Sequence, residues 1–422
     1  MQRLIGGRIY YGWVLVPIAC ACYGLGIAPA YGSWGFFAPE LSAELGLSRQ
    51  DIGSVFGSFS LCLLAASPIT GAFIHWFGLR FTISFGALVA AAGMWSLSQA
   101  QSLADCYLSY SLLAGVGLAL STAFPMQTLA TFWFKKYRAR ASAIILAGGT
   151  GVGTVIAPIN ELLLQYGGWR FGWQVYAGVS LLVAVVATIF IRDSPEMCGL
   201  AIDGIVEPET DSVALSTLAA APKQRVRDTI VTPQFFLISL CAFGQLGPWT
   251  VFTAHSRMHL EALLIGSAVA AGVLSTKNVA STIGRLSAAG GDFVSPRVLL
   301  AAALVIEALG FAGLAVAQQR ALVFVSTTLF GLGFGAAMLC VSLTFAEIFG
   351  RQAFVTTSGA SRALQGVFNF AAPTVVGMLA DRLGSYTVPF LGLSGLALIA
   401  ALGIAFCHPV VGKTAPRLDA MK

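Results

Sequence analysis

Long apolar runs dominate the chain, and short polar segments separate them. Each run has about 20 residues or more, the length that a helix needs to cross the hydrocarbon core of a bilayer. Gly, Pro, Asn and Gln interrupt several runs, which is typical of helices that pack against neighbours or line a cavity. We predict twelve spans, which cover residues 11–38, 51–75, 81–100, 106–133, 141–166, 171–191, 234–257, 264–291, 297–317, 321–348, 353–380 and 386–408.

The composition supports this interpretation. Of the 422 residues, 57% are hydrophobic and 10% are charged, and the mean hydropathy is +0.82. A soluble globular chain carries about 25% charged residues. The first run follows Arg3 and Arg8 but is too long for a signal peptide and has no small-residue cleavage site after it. We therefore expect it to be the first span.

A polar stretch at residues 192–233 divides the spans into six and six. We predict an N-terminal six-helix bundle at 1–191, a cytoplasmic linker at 192–233, and a C-terminal six-helix bundle with a short cytoplasmic tail at 234–422. The segments after spans 2 and 8, and after spans 4 and 10, resemble one another weakly. The predicted fold class is all-α: a polytopic membrane protein with 12 transmembrane helices in two pseudo-symmetric six-helix bundles, an arrangement typical of secondary transporters.

The distribution of Lys and Arg predicts the orientation. Of these 24 residues, 16 fall on the side of the N-terminus, 5 fall on the opposite side and 3 lie within spans. Cytoplasmic loops carry the excess of positive charge, so we expect both termini to be cytoplasmic and the protein to lie in the cell (inner) membrane. The net charge of +6 follows from this bias, and we expect no nucleic-acid partner.

Several kinds of chemistry find no support in the sequence. The eight cysteines are scattered and include no CxxC pair, and His255 and His259, although at i and i+4, are too few to hold a metal ion. No nucleophile and base fall on facing spans. We expect neither an enzyme nor a metal or cofactor, and a membrane sensor would need a signalling domain that no cytoplasmic segment is long enough to form.

The three cations within spans, Lys277, Arg285 and Arg362, are the candidate functional residues, because a charge at bilayer depth is costly unless it faces protein or water. Around a helix, Asn278 lies about 20° and Ser281 about 40° from Arg285. These three residues form a polar stripe, and a guanidinium can bind a carboxylate through two parallel hydrogen bonds. The alternative is that Arg285 pairs with a backbone carbonyl or a gate carboxylate.

Other polar residues extend this candidate site. Gln365 and Asn369 follow Arg362 on one helix face, so these three residues could contact a ligand or a gate. Lys277 could lie at the edge of a cavity, or pack against a neighbouring helix. Glu307 lies deep in span 9, where we expect it to pair within the bundle or to be protonated.

Four stretches resemble the major facilitator superfamily, and within it the branch of monocarboxylate transporters and oxalate:formate antiporters. They are YYGWVLV (10–16), YGSWGFFAPELSAELGLSRQDIG (31–53), TFWFKKYRARASAIILAGGTGVG (131–153) and APTVVGMLADRLGSYTVPF (372–390). The resemblance implies that Arg285 occupies the position of the substrate-binding arginine of span 8. It also implies that spans 1 and 4, with Tyr31 and Gln127, line the cavity.

The resemblance further implies an inner gate built from cytoplasmic loop residues, namely Arg80, Arg138, Asp292 and Arg297. The sequence departs from the family pattern in four places, one of which is Ser295, which replaces a Gly in the loop after span 8. His75 stands where the loop after span 2 usually has Asp. Ser281 stands where monocarboxylate transporters often have an acid, and Tyr31 stands where they have a lysine, so proton coupling by that pair is not expected here.

Together these features predict a monomeric secondary active transporter that moves a small organic anion, a mono- or dicarboxylate, by alternating access. A proton or a counter-anion is the expected coupling partner. The alternative is a drug or metabolite exporter of the same superfamily with a substrate that is not a carboxylate.

Overall fold

The computed structural model describes residues 10–202, 232–289 and 294–407. The described part is almost entirely helical and contains no strand. Its long helices are α1 (Tyr11–Leu45), α2 (Arg49–Ala65), α3 (Ser67–Ser98), α4 (Leu103–Trp133), α5 (Arg138–Phe190), α6 (Pro233–Ala262), α7 (Ser267–Ala289), α8 (Pro296–Val316), α9 (Arg320–Leu383) and α10 (Thr387–Ala405). The all-α prediction is confirmed.

Three of these helices contain more than one predicted span. Helix α5 has 53 residues, about 80 Å at 1.5 Å per residue, which far exceeds a bilayer core. Gly168 interrupts it with a φ of +71°, and Gly78 interrupts α3 with a φ of +82°. Glycine accepts a positive φ without a steric penalty, so two helical segments meet at a kink at each of these glycines. Helix α9 carries two candidate spans, Arg320–Phe349 and Ala360–Leu383.

Nine stretches of the described helices are long and apolar enough to cross a membrane. Helix α2 is too short to qualify by itself, with 17 residues, and is followed directly by α3. Helix α7 has 23 residues but is too polar. That polarity comes from the stretch that carries Lys277, Asn278, Ser281 and Arg285. The described helices accommodate the twelve predicted spans, and the count of twelve stays a prediction.

The described helices form two compact units, and the division does not follow the order of the chain. Unit 1 comprises Met1–Ala214, Thr250–Val279 and Phe370–Tyr386, whereas unit 2 comprises Leu215–Trp249, Ala280–Asn369 and Thr387–Lys422. Helices α6, α7 and α9 therefore contribute to both units. The predicted division into an N-terminal and a C-terminal bundle stays a prediction, and most of the predicted linker, 203–231, lies outside the described residues.

Each unit has an apolar core built from helices distant in the sequence. In unit 1, Leu15 of α1, Ile83 of α3 and Trp133 of α4 are buried in one cluster with residues of α5. In unit 2, Ile238 of α6 and Leu304 of α8 are buried with residues of α9 and α10. Packing of this kind fixes the helices, because close-packed interiors leave few voids.

Within unit 1, glycines let α1 and α2 approach α6 and α9 closely. Gly35 of α1 lies against the Thr253 carbonyl of α6, and Gly53 and Gly57 of α2 lie against the Pro373 and Phe370 carbonyls of α9. A Cβ atom at any of these glycines would overlap the carbonyl oxygen that faces it. Small residues at fixed spacing allow this approach between membrane helices, and Gly53 and Gly57 have the GxxxG spacing.

We predict that Gly53→Ala destabilises the protein, because the new methyl group meets the Pro373 carbonyl, which belongs to a helix backbone and moves little. Overpacking of this kind costs about 1–3 kcal/mol. Thermal unfolding of the purified full chain in detergent should show a drop of several degrees.

Gly71→Ala is the matched control, since Gly71 is also helical and has open space where its Cβ would lie. It should leave the unfolding temperature unchanged or raise it slightly. Equal effects of the two substitutions would contradict the close approach at Gly53.

Candidate functional site

Helix α7 buries Lys277 within unit 1. The lysine is 4% exposed, and its Nζ donates a hydrogen bond to the Thr253 hydroxyl at 3.2 Å. The same Nζ lies 5.6 Å from the centre of the Phe252 ring, on the ring face. Both contacts come from α6. A hydroxyl and an aromatic face stabilise a cation, but neither carries a negative charge.

Lys277 and Asn278 border a small cavity of about 30 Å³ in unit 1. A water molecule needs about 10–15 Å³ of such space, so the cavity accepts water or a small polar group. Asn278 Nδ2 donates to the Gly153 carbonyl at 2.6 Å. The other residues of the cavity wall are Gly32, Ile156, Ala157, Thr253, Ser256 and Leu274. An ammonium, two hydroxyls and an amide therefore meet apolar side chains around this cavity.

Ser281 and Arg285 belong to unit 2. Ser281 is fully buried, and its hydroxyl has no hydrogen-bond partner in the described part of the chain. Arg285 is half-buried. The neighbouring Gly284 lies against the Leu332 carbonyl of α9, where a side chain would not fit. Helix α7 is continuous from Asn278 to Arg285, as the predicted stripe requires, and the role of the stripe stays a prediction.

The candidate residues of α9 differ in their surroundings. Arg362 is exposed, whereas Asn369 is 3% exposed and its Oδ1 accepts no hydrogen bond within the described residues. Gln365 is half-buried, and its Nε2 donates to the Ser361 hydroxyl at 3.1 Å. Ser361 in turn accepts a hydrogen bond from Ser239 at 3.0 Å. Gln365 is thus held by a serine pair that joins α9 to α6.

Tyr31 and Gln127 have less distinctive environments. The Tyr31 ring packs edge-on against the rings of Phe56 and Phe59, with centroids 5.6 and 5.4 Å away. Gln127 is half-buried on α4, and its backbone carbonyl accepts the Thr131 hydroxyl. These contacts give Tyr31 a packing role, and a substrate role for either residue stays a prediction.

An acid that the sequence analysis did not single out supports the predicted gate residue Arg80. Asp193, which follows α5, accepts the backbone N–H of Arg80 at 2.7 Å and lies beside Gly78. It therefore caps the part of α3 that continues after the Gly78 break. His75, at the position where the family usually has Asp, is exposed. The signal in the sequence was an acid placed directly after span 6.

The corresponding arginine of unit 2 is held in a similar way. Arg297 Nε lies 3.5 Å from Glu347 Oε1, and its backbone N–H donates to the same carboxylate at 3.3 Å. Its guanidinium also donates to the Cys407 carbonyl at 2.5 Å. Arg138 is exposed at the first residue of α5, and Asp292 lies outside the described residues.

Unit 1 also contains a set of ionic contacts at the end of α1 that is distal to the N-terminus. Arg257 of α6 is 6% exposed, contacts Glu40 at 2.7 Å and Glu261 at 2.8 Å, and donates to the Phe36 carbonyl at 2.9 Å. A cation buried at this depth is stable only with such partners. Arg257 is one of the five Lys and Arg residues that the sequence analysis assigns to the side opposite the N-terminus.

A second group of contacts joins α2 to α9 nearby. Asp381 accepts the backbone N–H groups of Arg49 at 3.2 Å and Gln50 at 2.9 Å, so it caps the N-terminus of α2. The Arg49 guanidinium donates to the Ala380 carbonyl at 3.0 Å. We call the contacts of Arg257 and Asp381, together with the close approaches at Gly35, Gly53 and Gly57, the distal closure.

Helices α5 and α7 are joined in the same unit. Ser275 donates to the Thr154 carbonyl at 2.7 Å, and Ser267 donates to the Glu161 carboxylate at 2.8 Å. Three helix pairs, α1 with α6, α2 with α9 and α5 with α7, thus connect segments before residue 192 to segments after residue 233. All three pairs lie within unit 1.

Glu307 is fully buried in unit 2, and neither carboxyl oxygen has a hydrogen-bond partner in the part of the chain that the structure describes. Its backbone lies against Gly333 of α9. An isolated buried carboxylate is strongly unfavourable and takes up a proton instead. Of the two sequence-based alternatives, pairing within the bundle and protonation, this environment favours protonation.

Comparison with known proteins identifies the class. Residues 18–291 match the family model of the Major Facilitator Superfamily, and the chain belongs to this family. The chain is a membrane transporter and not an enzyme.

Similar curated proteins include mouse monocarboxylate transporter 2, 21% identical over 98% of this chain and 88% of that protein. Mouse monocarboxylate transporter 11 is 26% identical over 92% of this chain and 85% of its own length. These relatives confirm the resemblance to the monocarboxylate transporter branch.

Solved structures show the same fold. A bacterial homologue of the human lysosomal transporter Spinster, in an inward-facing and occupied conformation, aligns with a TM-score of 0.74 at 15% identity, over 94% of this chain and 97% of the other. A D-xylose–proton symporter aligns with a TM-score of 0.71 at 12% identity, over 95% and 98% of the two chains. At these identities the likeness concerns the fold alone.

We predict that Asp193→Ala lowers the free energy of unfolding by about 1 kcal/mol, the usual loss when a helix cap is removed. The reason is that the Arg80 N–H loses its acceptor. Thermal unfolding of the full chain measures the effect.

Glu196→Ala serves as the control, because Glu196 is an exposed acid on the same segment and should be neutral. A loss as large at Glu196 as at Asp193 would mean that only the overall charge of the segment matters.

Proposed function

We propose that this protein is a secondary active transporter of small organic anions, mono- or dicarboxylates, that works by alternating access. The observation that carries the proposal is that Lys277, which is buried, and Asn278, which is half-buried, line the cavity of unit 1. The names of the relatives, monocarboxylate transporters matched over most of the chain, point to the same class of substrate.

The electrostatics of Lys277 support an anionic substrate. Moving an ammonium from water into a helical interior is costly, and the Thr253 hydroxyl and the Phe252 ring offset part of that cost. A carboxylate in the cavity would supply a full negative charge at short range, where the low local dielectric makes the attraction strong. A cationic substrate would be repelled from the same place.

Arg285 supplies the second positive group of the proposed site. Its guanidinium can bind a carboxylate through two parallel hydrogen bonds, whereas the ammonium of Lys277 acts as a point charge. Ser281, buried and without a hydrogen-bond partner among the described residues, can donate to a ligand oxygen. Arg362, with Gln365 and Asn369, adds a further positive pole on α9.

The proposed topology places both termini in the cytoplasm and the protein in the cell (inner) membrane, as a monomer. Arg80, Arg138, Asp292 and Arg297 then belong to the inner gate. The distal closure lies on the outer side in this topology. Alternating access requires it to open and close in turn with the inner gate, and a proton or a counter-anion supplies the coupling.

Uptake into proteoliposomes tests the proposal. The purified full chain should take up at least one of labelled lactate, pyruvate, formate and oxalate. Arg285→Lys keeps the charge but removes the bidentate geometry, and Lys277→Met removes the charge at similar length. Each should lower uptake at least about tenfold, the loss expected for a charge-assisted hydrogen bond.

Arg382→Gln is the matched control, because Arg382 is an exposed cation at the end of α9 and its loss should leave uptake unchanged. Unfolding temperatures of all variants separate loss of binding from loss of folding. Transport restricted to uncharged or cationic compounds would refute the anion assignment and favour an exporter of the same superfamily.

A further inference from the structure

A buried histidine lies at the centre of the distal closure. His255 of α6 is fully buried, and its Nε2 lies 3.0 Å from the Pro373 carbonyl of α9. Its Nδ1 lies 3.2 Å from the Tyr386 hydroxyl. Gly53 of α2 also lies against the ring, since a Cβ at this glycine would be 2.9 Å from Nε2. The imidazole is thus enclosed by α2, by α9 and by the segment that follows α9.

These contacts fix the tautomer of the neutral ring. A carbonyl oxygen only accepts, so Nε2 carries the hydrogen and donates to Pro373. Nδ1 then has a lone pair and accepts from the Tyr386 hydroxyl. If Nδ1 gains a proton, it can only donate, and Tyr386 must turn its own hydrogen away, toward Met258 Sδ at 3.8 Å. The neutral ring is therefore satisfied without any rearrangement of its neighbours.

Burial is the main factor that disfavours a positive charge on His255, and of the charged and titratable groups around it Arg49 and His259 oppose that charge whereas Asp381 favours it. Arg49 of α2 stacks on the Tyr386 ring with its Cζ 5.1 Å from the ring centre. His259, one turn further along α6, packs edge-on against the same ring at 5.7 Å. The nearby carboxylate, Asp381, is already engaged by the backbone N–H groups at the start of α2 and lies 4.0 Å from Arg49 Nε.

A proton on His255 would therefore create a buried cation next to Arg49, in a place that excludes water. Opening the distal closure hydrates the ring and removes this penalty. Because the open arrangement binds the proton more tightly, protonation must favour opening by the same factor.

We propose that His255 is a proton-binding site that couples opening of the distal closure to acidity. Histidine changes its charge between about pH 5 and 8, so the closure holds at the upper end of this range and loosens at the lower end. One proton bound only in the open arrangement shifts the opening equilibrium by at most about tenfold per pH unit. The proposal names a coupling ion and does not depend on the identity of the substrate.

Hydrogen–deuterium exchange of the full chain in lipid nanodiscs tests it without a substrate. Exchange is compared at about pH 5.5 and about pH 7.5, with labelling times scaled so that the intrinsic chemical exchange is equal. Peptides from α2 and from residues 370–386 should exchange several-fold faster at the lower pH. Peptides from α8, which lies in unit 2, should show no such change.

His255→Gln should abolish the pH dependence. Its amide can donate to the Pro373 carbonyl and accept from Tyr386, but it does not titrate. His75→Gln is the matched control, since His75 is exposed on α3, and it should behave like the unmodified protein.

A pH dependence that persists in His255→Gln, or its absence from the unmodified protein, would overturn the proposal. If His255→Gln is not monodisperse on size exclusion, His255→Asn replaces it with the same expectation. Loss of the effect in His75→Gln would equally contradict the assignment to His255.

Discussion

A charge among apolar helices needs a partner, and this requirement organises the described structure. Arg257 shows the constraint most clearly, because it is 6% exposed and contacts two carboxylates and a backbone carbonyl. Leaving a buried charge of this kind without any partner costs about 3–5 kcal/mol. The positions of Glu40 and Glu261 are therefore tied to that of Arg257, and α1 is tied to α6.

Not all buried ionisable groups meet the requirement in this way. Glu307 is buried without a hydrogen-bond partner among the described residues, so we infer that it is uncharged. Lys277 contacts a hydroxyl and a ring and borders a cavity. The contacts of Arg257 hold α1 against α6, whereas the proposed function assigns Lys277 to the ligand. This distinction cannot be drawn from hydropathy, because both kinds of residue interrupt an apolar run in the same way.

The sequence predicted the helices well because their signal is local. Runs of apolar residues set the lengths, and Gly78 and Gly168 mark the breaks that α3 and α5 need. The sequence did not predict the partners. Asp193 caps a helix 113 residues earlier in the chain, and Asp381 caps one that starts 332 residues earlier. Contacts at such separations depend on the packing of whole helices, for which a single sequence contains no direct signal.

The distal closure and the candidate site together limit how the protein can respond to its ligands. A ligand shifts a conformational equilibrium only by the difference between its affinities for the two states. If the distal closure opens as proposed, its ionic contacts and three close backbone approaches cannot stabilise the closed arrangement by much more than that difference. Buried ion pairs suit this requirement because their attraction is largely offset by the cost of removing both charges from water. The neutral, enclosed His255 meets the same requirement. One added proton would shift the equilibrium from the closed toward the open arrangement of the distal closure without unfolding the helices that surround the ring.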